Sequence, residues 1–194
     1  MDHKIAKRGG VSSDARVVRS RAALGAALVE LVAERPFGEI TVAMLTDRAK
    51  IGYATFFRHY PDLSALLIEV ADTLIAELLG KLVPLLQQGD RMALVRTLTA
   101  EVLSRRTLCH ALLTGAGDPM RQMVTQRAIA QAMASPAETP EGLPRELAVT
   151  HLVGAALTIL TWWLDRAPDM AADDVAAILD RLVLAPVLVA QVPG

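Results

Sequence analysis

The sequence is poor in cysteine and in aromatic side chains: Cys109 is its one cysteine, and 4% of its 194 residues are aromatic. A single thiol excludes an intramolecular disulfide and a metal cluster built on thiolates. Hydrophobic residues nevertheless make up 53% of the chain. This apolar mass is mainly Leu, Ala and Val, and no alternating strand pattern or internal repeat occurs, so the composition is typical of packed helices rather than sheets.

Long apolar runs and catalytic patterns are also missing. The longest strongly apolar stretch, residues 152–164, covers 13 positions, whereas a membrane-spanning helix needs about 20. The N-terminal MDHKIAKRGG is charged and lacks the apolar core of a signal peptide. No Ser/His/Asp, paired-carboxylate or His-rich arrangement has a useful spacing. We therefore expect a cytoplasmic protein that is not an enzyme, has no cofactor or metal and does not engage a membrane.

The net charge of −1 conceals an uneven distribution of charged residues. Residues 1–60 contain 10 Lys/Arg and 6 Asp/Glu, a balance of +4, and the remaining 134 residues contain 10 and 15, a balance of −5. A basic first third on an acidic remainder favours a head that binds a polyanion, although charged runs are more often solvated faces.

Helical spacing of apolar residues runs through most of the chain. The polar residues 1–12, with Gly9-Gly10, are expected to be disordered. Helical spacing predicts a first helix that is capped at Ser13 or Asp14 and runs to about Arg35, and a long fourth helix from about Leu63 whose end is marked by Pro84 and Gly89. Between them lie two short helices, 42–49 and 53–60. Later helices are predicted over about 91–103, 107–114, 119–134, 145–166 and 173–186, with a proline-rich loop over 135–144.

Residues 41–60, TVAMLTDRAKIGYATFFRHY, contain the two short helices and a break of three to four residues. This spacing is typical of a helix-turn-helix, whose second helix enters the major groove of DNA. The outward positions carry hydrogen-bond donors or cations that suit phosphates and base edges; these are Thr41, Lys50, Tyr53, Thr55, Arg58 and His59. Solvent exposure, helix capping at Thr41 and packing on the fourth helix at His59 are the alternative roles.

The run AKIGYATFFRHYPDLSALL resembles the signature of the TetR family of transcriptional regulators, A-G-V-S-x-G-T-[FL]-Y-x-H-F-x-S-K-E-x-L. The identical or conservative matches are Ala49, Ile51, Ala54, Thr55, Phe56, His59, Tyr60 and Leu66. With the preceding RAALGAALVELVAERPFGEITV, the resemblance covers about residues 19–70 without gaps. It implies an all-α fold, with an N-terminal three-helix helix-turn-helix DNA-binding domain over residues 1–62 and a C-terminal helical effector-binding and dimerisation domain over residues 63–194.

The resemblance also assigns DNA-binding roles. It implies that Tyr53 and Thr55 read bases, that His59 contacts a phosphate, and that the wider DNA-binding surface takes in Thr41, Lys50, Gly52, Phe57 and Arg58.

Four positions depart from the family pattern. Lys50 replaces the glycine of the turn and must take a left-handed conformation or change the turn, and Gly52 replaces a capping serine. Phe57 and Leu63 replace a tyrosine and a lysine that contact phosphates. We therefore expect weaker non-specific DNA binding, unless other cations compensate; the candidates are Lys50, Arg48 and the basic arm of Lys4, Lys7 and Arg8.

The second domain offers candidates for effector binding and for dimerisation. Trp162 and Trp163 point about 100° apart on one helix, so one can face a cavity and the other a partner. Candidate effector-pocket residues, with plain core packing as the alternative, are Cys109, His110, Met120, Met123 and Trp162. The resemblance implies that the last two long helices form a four-helix bundle with their symmetry mates; the candidate dimerisation residues are Leu152, Ala155, Ala156, Ile159, Trp163, Ile178 and Leu182.

The resemblance thus implies a regulator, a repressor, that binds a pseudo-palindromic operator in double-stranded DNA as a homodimer and is released by a small, mainly apolar effector. Two alternatives stay open at this point. One is a DNA-binding protein without an effector, and the other is a helical adaptor that has lost DNA recognition.

Overall fold

Helices are the regular structure of this chain. The computed structural model describes residues 10–115, 117–134 and 143–187, and these contain no strand, which confirms the all-α prediction. The helices are α1 (Gly10–Glu34), α2 (Val42–Ala49), α3 (Tyr53–His59), α4 (Leu63–Gln87), α5 (Arg91–Ser104), α6 (Arg106–Gly115), α7 (Gly117–Ala134), α8 (Arg145–Arg166), α9 (Ala172–Leu179) and α10 (Ala185–Val187). A 3-10 turn, Phe37–Glu39, precedes α2, and a π-helical turn, Asp180–Leu184, joins α9 to α10.

The chain divides into two compact units, a first unit up to Glu69 and a second unit from Val70 onward. The division falls inside α4, seven residues beyond the boundary expected from the sequence. In the first unit α1 packs on α2, and α2 on α3. Fully buried leucine and phenylalanine side chains from these helices and from the start of α4 form its core; they are Leu24, Leu28, Leu45, Phe56, Leu66 and Leu67.

The second unit has its core between α5, α8 and α9. The largest buried side chain there is Trp163, whose indole Nε1 donates a hydrogen bond to the carbonyl of Met170 at 3.0 Å. This corrects the sequence-based interpretation, which placed Trp163 in the dimer interface: its ring is fully covered by its own chain. Its neighbour Trp162 is 42% exposed instead.

Several helix ends differ from the predicted ones. The first helix begins at Gly10, ahead of the expected cap, so residues 10–12 are helical, while residues 1–9 with the basic arm lie outside the described residues. α4 continues through Pro84 to Gln87, because a proline removes one ladder bond and the next turn can still form. The chain then turns at Gly89, whose φ is +72°. Most of the proline-rich loop, residues 135–142, also lies outside the described residues.

One described helix, α8, is long and apolar enough to cross a membrane by length and composition alone. It has 22 residues and a mean hydropathy of 1.7, and 28% of its apolar window is buried inside the chain. A core helix of a soluble protein passes the same test. The low buried share means that much of the apolar surface of α8 is not covered by the described part of its own chain.

Candidate DNA-binding surface and effector cavity

The turn between α2 and α3 is built from local hydrogen bonds. The hydroxyl of Thr41 caps α2 by accepting from the backbone N–H of Met44 at 3.2 Å. At the other end, the N–H of Lys50 donates to the carbonyl of Asp47, and the N–H of Ile51 donates to the carbonyl of Thr46. This pair of bonds is a Schellman motif, and Lys50 takes the left-handed conformation that the motif requires, with φ 56° and ψ 40°. A side chain at that position costs about 1 kcal/mol.

The rotation of α3 about its axis is set by two buried aromatic rings. Phe56 is fully buried and Tyr60 nearly so. The opposite side of the helix is exposed, with Tyr53 at 57% and Phe57 at 48%. We call this side the outer face of α3; it consists of Tyr53, Ala54, Phe57 and Arg58.

The side chains of α3 are already in contact with one another. The rings of Tyr53 and Phe57 meet edge to face, with centroids 5.2 Å apart. Arg58 donates from Nη2 to the Thr55 hydroxyl at 2.7 Å, and the half-buried His59 lies against the ring of Tyr60. The outer face therefore offers two aromatic edges and one cation, a set suited to apolar base contacts and to a guanine or a phosphate.

Gly52 caps α3 through its backbone rather than through a side chain. Its φ and ψ are −64° and 139°, and its carbonyl accepts from the N–H of Thr55 at 2.8 Å. A Cβ placed on Gly52 would meet the Thr55 hydroxyl at 3.7 Å, an ordinary contact distance. The serine of the family pattern would therefore fit at this position without moving the backbone.

Two cations that were expected to compensate for missing phosphate contacts are paired with carboxylates. Arg48 binds Glu34 through two hydrogen bonds of 2.8 Å and Glu30 through a third of 3.3 Å. These bonds tie α2 to α1, and the hydrogen bonds from Arg48 lower the pKa of the Glu34 carboxyl. Lys50 lies 3.2 Å from Asp47, but both of these side chains are largely exposed. Lys50 thus stays accessible to a polyanion, whereas Arg48 holds α2 against α1.

A polar cluster that the sequence reasoning missed joins α1, α4 and the residue after α3. The hydroxyl of Tyr60 donates to Glu69 Oε1 at 2.8 Å, and Arg21 Nε donates to that oxygen and to the Tyr60 hydroxyl. Arg21 also forms an ion pair with Glu69 through Nη2. Burial, followed by the bond to Glu69, raises the pKa of Tyr60, and the Arg21 hydrogen bond lowers the pKa of Glu69. No local signal predicts this cluster, because Arg21 and Glu69 are 48 residues apart.

The second unit contains an apolar cavity of about 230 Å³. Side chains from α4 to α9 and from the π-helical turn line it. Within the described part of the chain, all of these lining side chains are aliphatic except Cys109 and Met120. Burial raises the pKa of the Cys109 thiol to about 11, so this thiol is neutral near pH 7.

Of the five candidate effector-pocket residues, the structure places two in this cavity. Cys109 and Met120 line it, whereas Met123 and the exposed Trp162 are not among its lining residues. His110 follows Cys109 on α6 and points elsewhere, since its Nε2 lies 2.6 Å from Oδ1 of Asp165. Most of the lining comes from leucines and valines of α4, α5 and α8, which the sequence marks only as apolar stripes.

The candidate dimerisation residues separate into outward and inward groups. Ala155, Ile159 and Leu182 border a surface groove of about 480 Å³ between α8 and the π-helical turn, and Leu182 is 60% exposed. Leu152 and Ala156 line the internal cavity instead, and Ile178 is half-buried. We call this side of α8 the α8 face. Leu147 and Trp162 are exposed there, Gly154, Ala155 and Ile159 are half-buried, and the exposed polar residues His151 and Thr158 lie among them.

No protein-family model matches the sequence, and no curated protein sequence matches it. Solved structures do share its fold. FadR of Thermus thermophilus, a TetR-family transcriptional repressor solved with lauroyl-CoA, is 21% identical, with 90% of this chain and 99% of that chain covered at a TM-score of 0.63. FadR of Bacillus subtilis with stearoyl-CoA is 13% identical, with 84% and 97% covered and a TM-score of 0.62. RolR with resorcinol is 24% identical, with 88% and 90% covered and a TM-score of 0.61. At these identities the likeness is one of fold.

Proposed function

We propose that this chain, whose fold is that of TetR-family transcriptional regulators, is a cytoplasmic repressor of that family. It binds a pseudo-palindromic operator in double-stranded DNA as a homodimer. A small apolar molecule that enters the cavity of the second unit favours a dimer state whose recognition helices are wrongly spaced for the operator, and so releases the DNA.

The outer face of α3 is the observation that carries this proposal. A helix whose inner side is held by Phe56 and Tyr60 presents Tyr53, Phe57 and Arg58 to solvent. Tyr53 and Phe57 are exposed aromatic rings on a short helix, and the second helix of a helix-turn-helix places such side chains in the major groove. The basic balance of residues 1–60 and the signature around α3 support the same function.

The electrostatics predict a shallow salt dependence. Phe57 and Leu63 cannot neutralise phosphates, and Arg48 is already paired with two carboxylates. Each phosphate that no Lys or Arg neutralises lowers the slope of log affinity against log salt by roughly 0.9. Leu63 in place of a lysine has this effect, whereas Phe57 in place of a tyrosine removes only an uncharged hydroxyl. We therefore expect a somewhat shallower salt dependence than the family pattern implies.

A footprint on the DNA that flanks its own gene tests the proposal. We expect two protected half-sites whose centres lie about 34–36 Å apart, or a multiple of that spacing. Tyr53→Ala and Arg58→Ala should each weaken operator binding at least about tenfold. Arg166→Ala removes one exposed charge at the end of α8 and is the matched control. Equal affinity of all these proteins for the operator would contradict the proposal.

The cavity supports the effector part of the proposal. An apolar ligand that enters this cavity exchanges contacts with water for contacts with aliphatic side chains, and this exchange favours binding. Three structures of this fold, the two FadR proteins and RolR, were solved with lauroyl-CoA, stearoyl-CoA and resorcinol, which supports a small-molecule ligand for this chain. Titrating the operator complex with apolar compounds should release the DNA, and Ala156→Leu, which fills the cavity, should prevent release without preventing operator binding. Release that is equally efficient from this variant would place the effector elsewhere.

The α8 face supports the homodimer. Its apolar residues Ala155 and Ile159 line the same groove as the exposed Leu182, and two copies related by a two-fold axis would cover this surface. Trp162→Glu and Leu182→Glu should each give monomers in sedimentation velocity experiments and reduce operator affinity. Leu103→Glu, at an exposed leucine of α5, is the control. Dimers that persist in both α8-face variants would exclude this interface.

Two other functions are separated by the same experiments. A DNA-binding protein without an effector would keep its operator affinity across a broad set of apolar compounds, although a cavity of about 230 Å³ favours a ligand. A helical adaptor that has lost DNA recognition would show no salt-dependent binding to any operator. Tyr53→Ala would then leave its nucleic-acid binding unchanged.

A further inference from the structure

The chemistry of the cavity in the second unit restricts its ligand. Among the described residues that line it, the side-chain heteroatoms are one thioether, in Met120, and one thiol, in Cys109. Both sulfur atoms are weak hydrogen-bond partners. The nearby polar residues His110 and Asp165 are hydrogen-bonded to each other and are not among the lining residues. The backbone groups of the lining residues belong mainly to helices, whose own ladders use them.

The cavity is partly open to solvent, so its chemistry acts on ligand atoms that lie against the wall. A hydrogen-bonding atom placed there loses its bonds to water and gains none from the aliphatic side chains of the lining. One such unsatisfied donor or acceptor weakens binding by about tenfold to a hundredfold. A charged group is excluded more strongly, because burial of an unpaired charge is far more costly. The lining therefore lowers the affinity for polar ligands and also favours the binding of apolar ones.

The volume limits the size of the occupant. A cavity of roughly 150 Å³ lined by aliphatic and aromatic side chains stays dry and binds benzene. The cavity here, at about 230 Å³, is about half as large again. Scaling from the six carbons of benzene gives about nine carbon atoms.

We propose that this cavity accommodates an uncharged hydrocarbon group of about nine carbon atoms that carries no hydrogen-bonding atom inside the wall. The inference deepens the proposed function by naming the chemical class of the effector, and it rests on that function for its regulatory meaning. A free hydrocarbon and the tail of a larger molecule with its polar head outside share this chemistry.

Cys109 provides a reporter that does not depend on DNA. It is the one thiol of the chain and lies in the cavity wall, so an occupant shields it from a small apolar thiol reagent such as methyl methanethiosulfonate. The rate of its modification measures occupancy directly. Operator binding is then a separate readout.

Indene and indole are the discriminating probes, because they have the same nine-atom ring frame and indole adds one N–H donor. With the full-length protein, we expect indene to bind at least about tenfold more tightly than indole in calorimetry and to slow the modification of Cys109. Octanoyl-CoA is the third probe. Binding of octanoyl-CoA with protection of Cys109 identifies a tail as the occupant, and protection by indene alone identifies a free hydrocarbon.

Two variants keep the test independent of folding defects. Ala156→Leu should weaken indene binding at least about tenfold by filling the space. Cys109→Ser places a hydroxyl in the wall and should reduce the ratio of the affinity for indene to the affinity for indole. Cys109→Val is its matched control. Indole binding as tightly as indene, or full reactivity of Cys109 with all three probes, overturns the inference even if the operator is bound. Protection by indene in a protein that binds no operator supports the inference and refutes the proposed function.

Discussion

Replacing Tyr60 by phenylalanine removes a single hydroxyl from the cluster that joins α1, α4 and the residue after α3. The ring itself is retained, with its contact to Phe56 at 5.8 Å between centroids and the Arg21 guanidinium 5.7 Å above it. What is lost is a 2.8 Å hydrogen bond to the carboxylate of Glu69 and an acceptor for Arg21. The substitution therefore isolates the hydrogen bonds from the packing.

A hydrogen bond to a charged group is worth about 1.5–3 kcal/mol. Glu69 remains partly exposed and keeps its ion pair with Arg21, so water and Arg21 can satisfy its carboxylate after the substitution. We therefore expect the lower end of the range, a loss of about 1.5 kcal/mol in the free energy of unfolding of the first unit. For a unit of this size, that corresponds to a fall in Tm of about 6–12 °C.

Urea unfolding at pH 7, at one protein concentration, measures this change. The fixed concentration matters because subunit association contributes to the apparent stability. Tyr53→Phe is the control, since it removes a hydroxyl from an exposed ring of α3 and should change stability by less than about 0.5 kcal/mol. A double-mutant cycle with Glu69→Gln should give a coupling of about 1 kcal/mol. A Tyr60→Phe protein as stable as the Tyr53→Phe control, or additive effects in the cycle, would refute the reasoning.

Three further predictions concern the first unit. Because Lys50 is left-handed, the Lys50→Gly variant should be more stable than the Lys50→Ala variant by about 1 kcal/mol, the reverse of the order inside a helix. Thermal unfolding of both variants measures this difference, and a higher Tm for Lys50→Ala would mean that the turn is not left-handed. Gly52→Ser adds a capping hydroxyl to α3 and should raise stability by a few tenths of a kcal/mol; lower stability would show that the Cβ does not fit. The Arg21 hydrogen bond lowers the pKa of Glu69 below its ordinary value of 4.5, so this carboxylate stabilises the fold above pH 4.5, and the stabilisation is lost as the pH falls through the lowered pKa. Between pH 6 and 3, the free energy of unfolding should therefore fall less steeply with decreasing pH in Glu69→Gln than in the unsubstituted protein. Equal pH dependence of the two proteins would contradict the assignment.

Much of the first unit was predictable because its boundaries depend on near neighbours. The prediction of α2 over Val42–Ala49 was confirmed at both ends, since a threonine cap and a Schellman turn are hydrogen bonds between residues three to five positions apart. The sequence left two possibilities for Lys50, a left-handed conformation or a changed turn, and the structure has the left-handed one. The bounds of α8 were likewise confirmed.

The contacts between helices were not predictable in this way. In the sequence, Arg48 has the features of a free cation, but the fold places two carboxylates of α1 beside it. Tyr60 likewise belongs to a polar cluster because α1 and α4 pack next to the end of α3. Periodicity indicates that a helix has an apolar side, but it contains no information about which distant side chain lies opposite.

The two tryptophans of α8 show most clearly which features the sequence determines and which the tertiary structure determines. The sequence alone determined that Trp162 and Trp163 point in different directions, because successive residues of a helix are about 100° apart. The tertiary structure decided that Trp163 is the buried one, by packing α5 and α9 against its side of the helix. Local hydrogen bonds set where a helix begins and ends, whereas its rotation is set by the apolar surface that its neighbours bury.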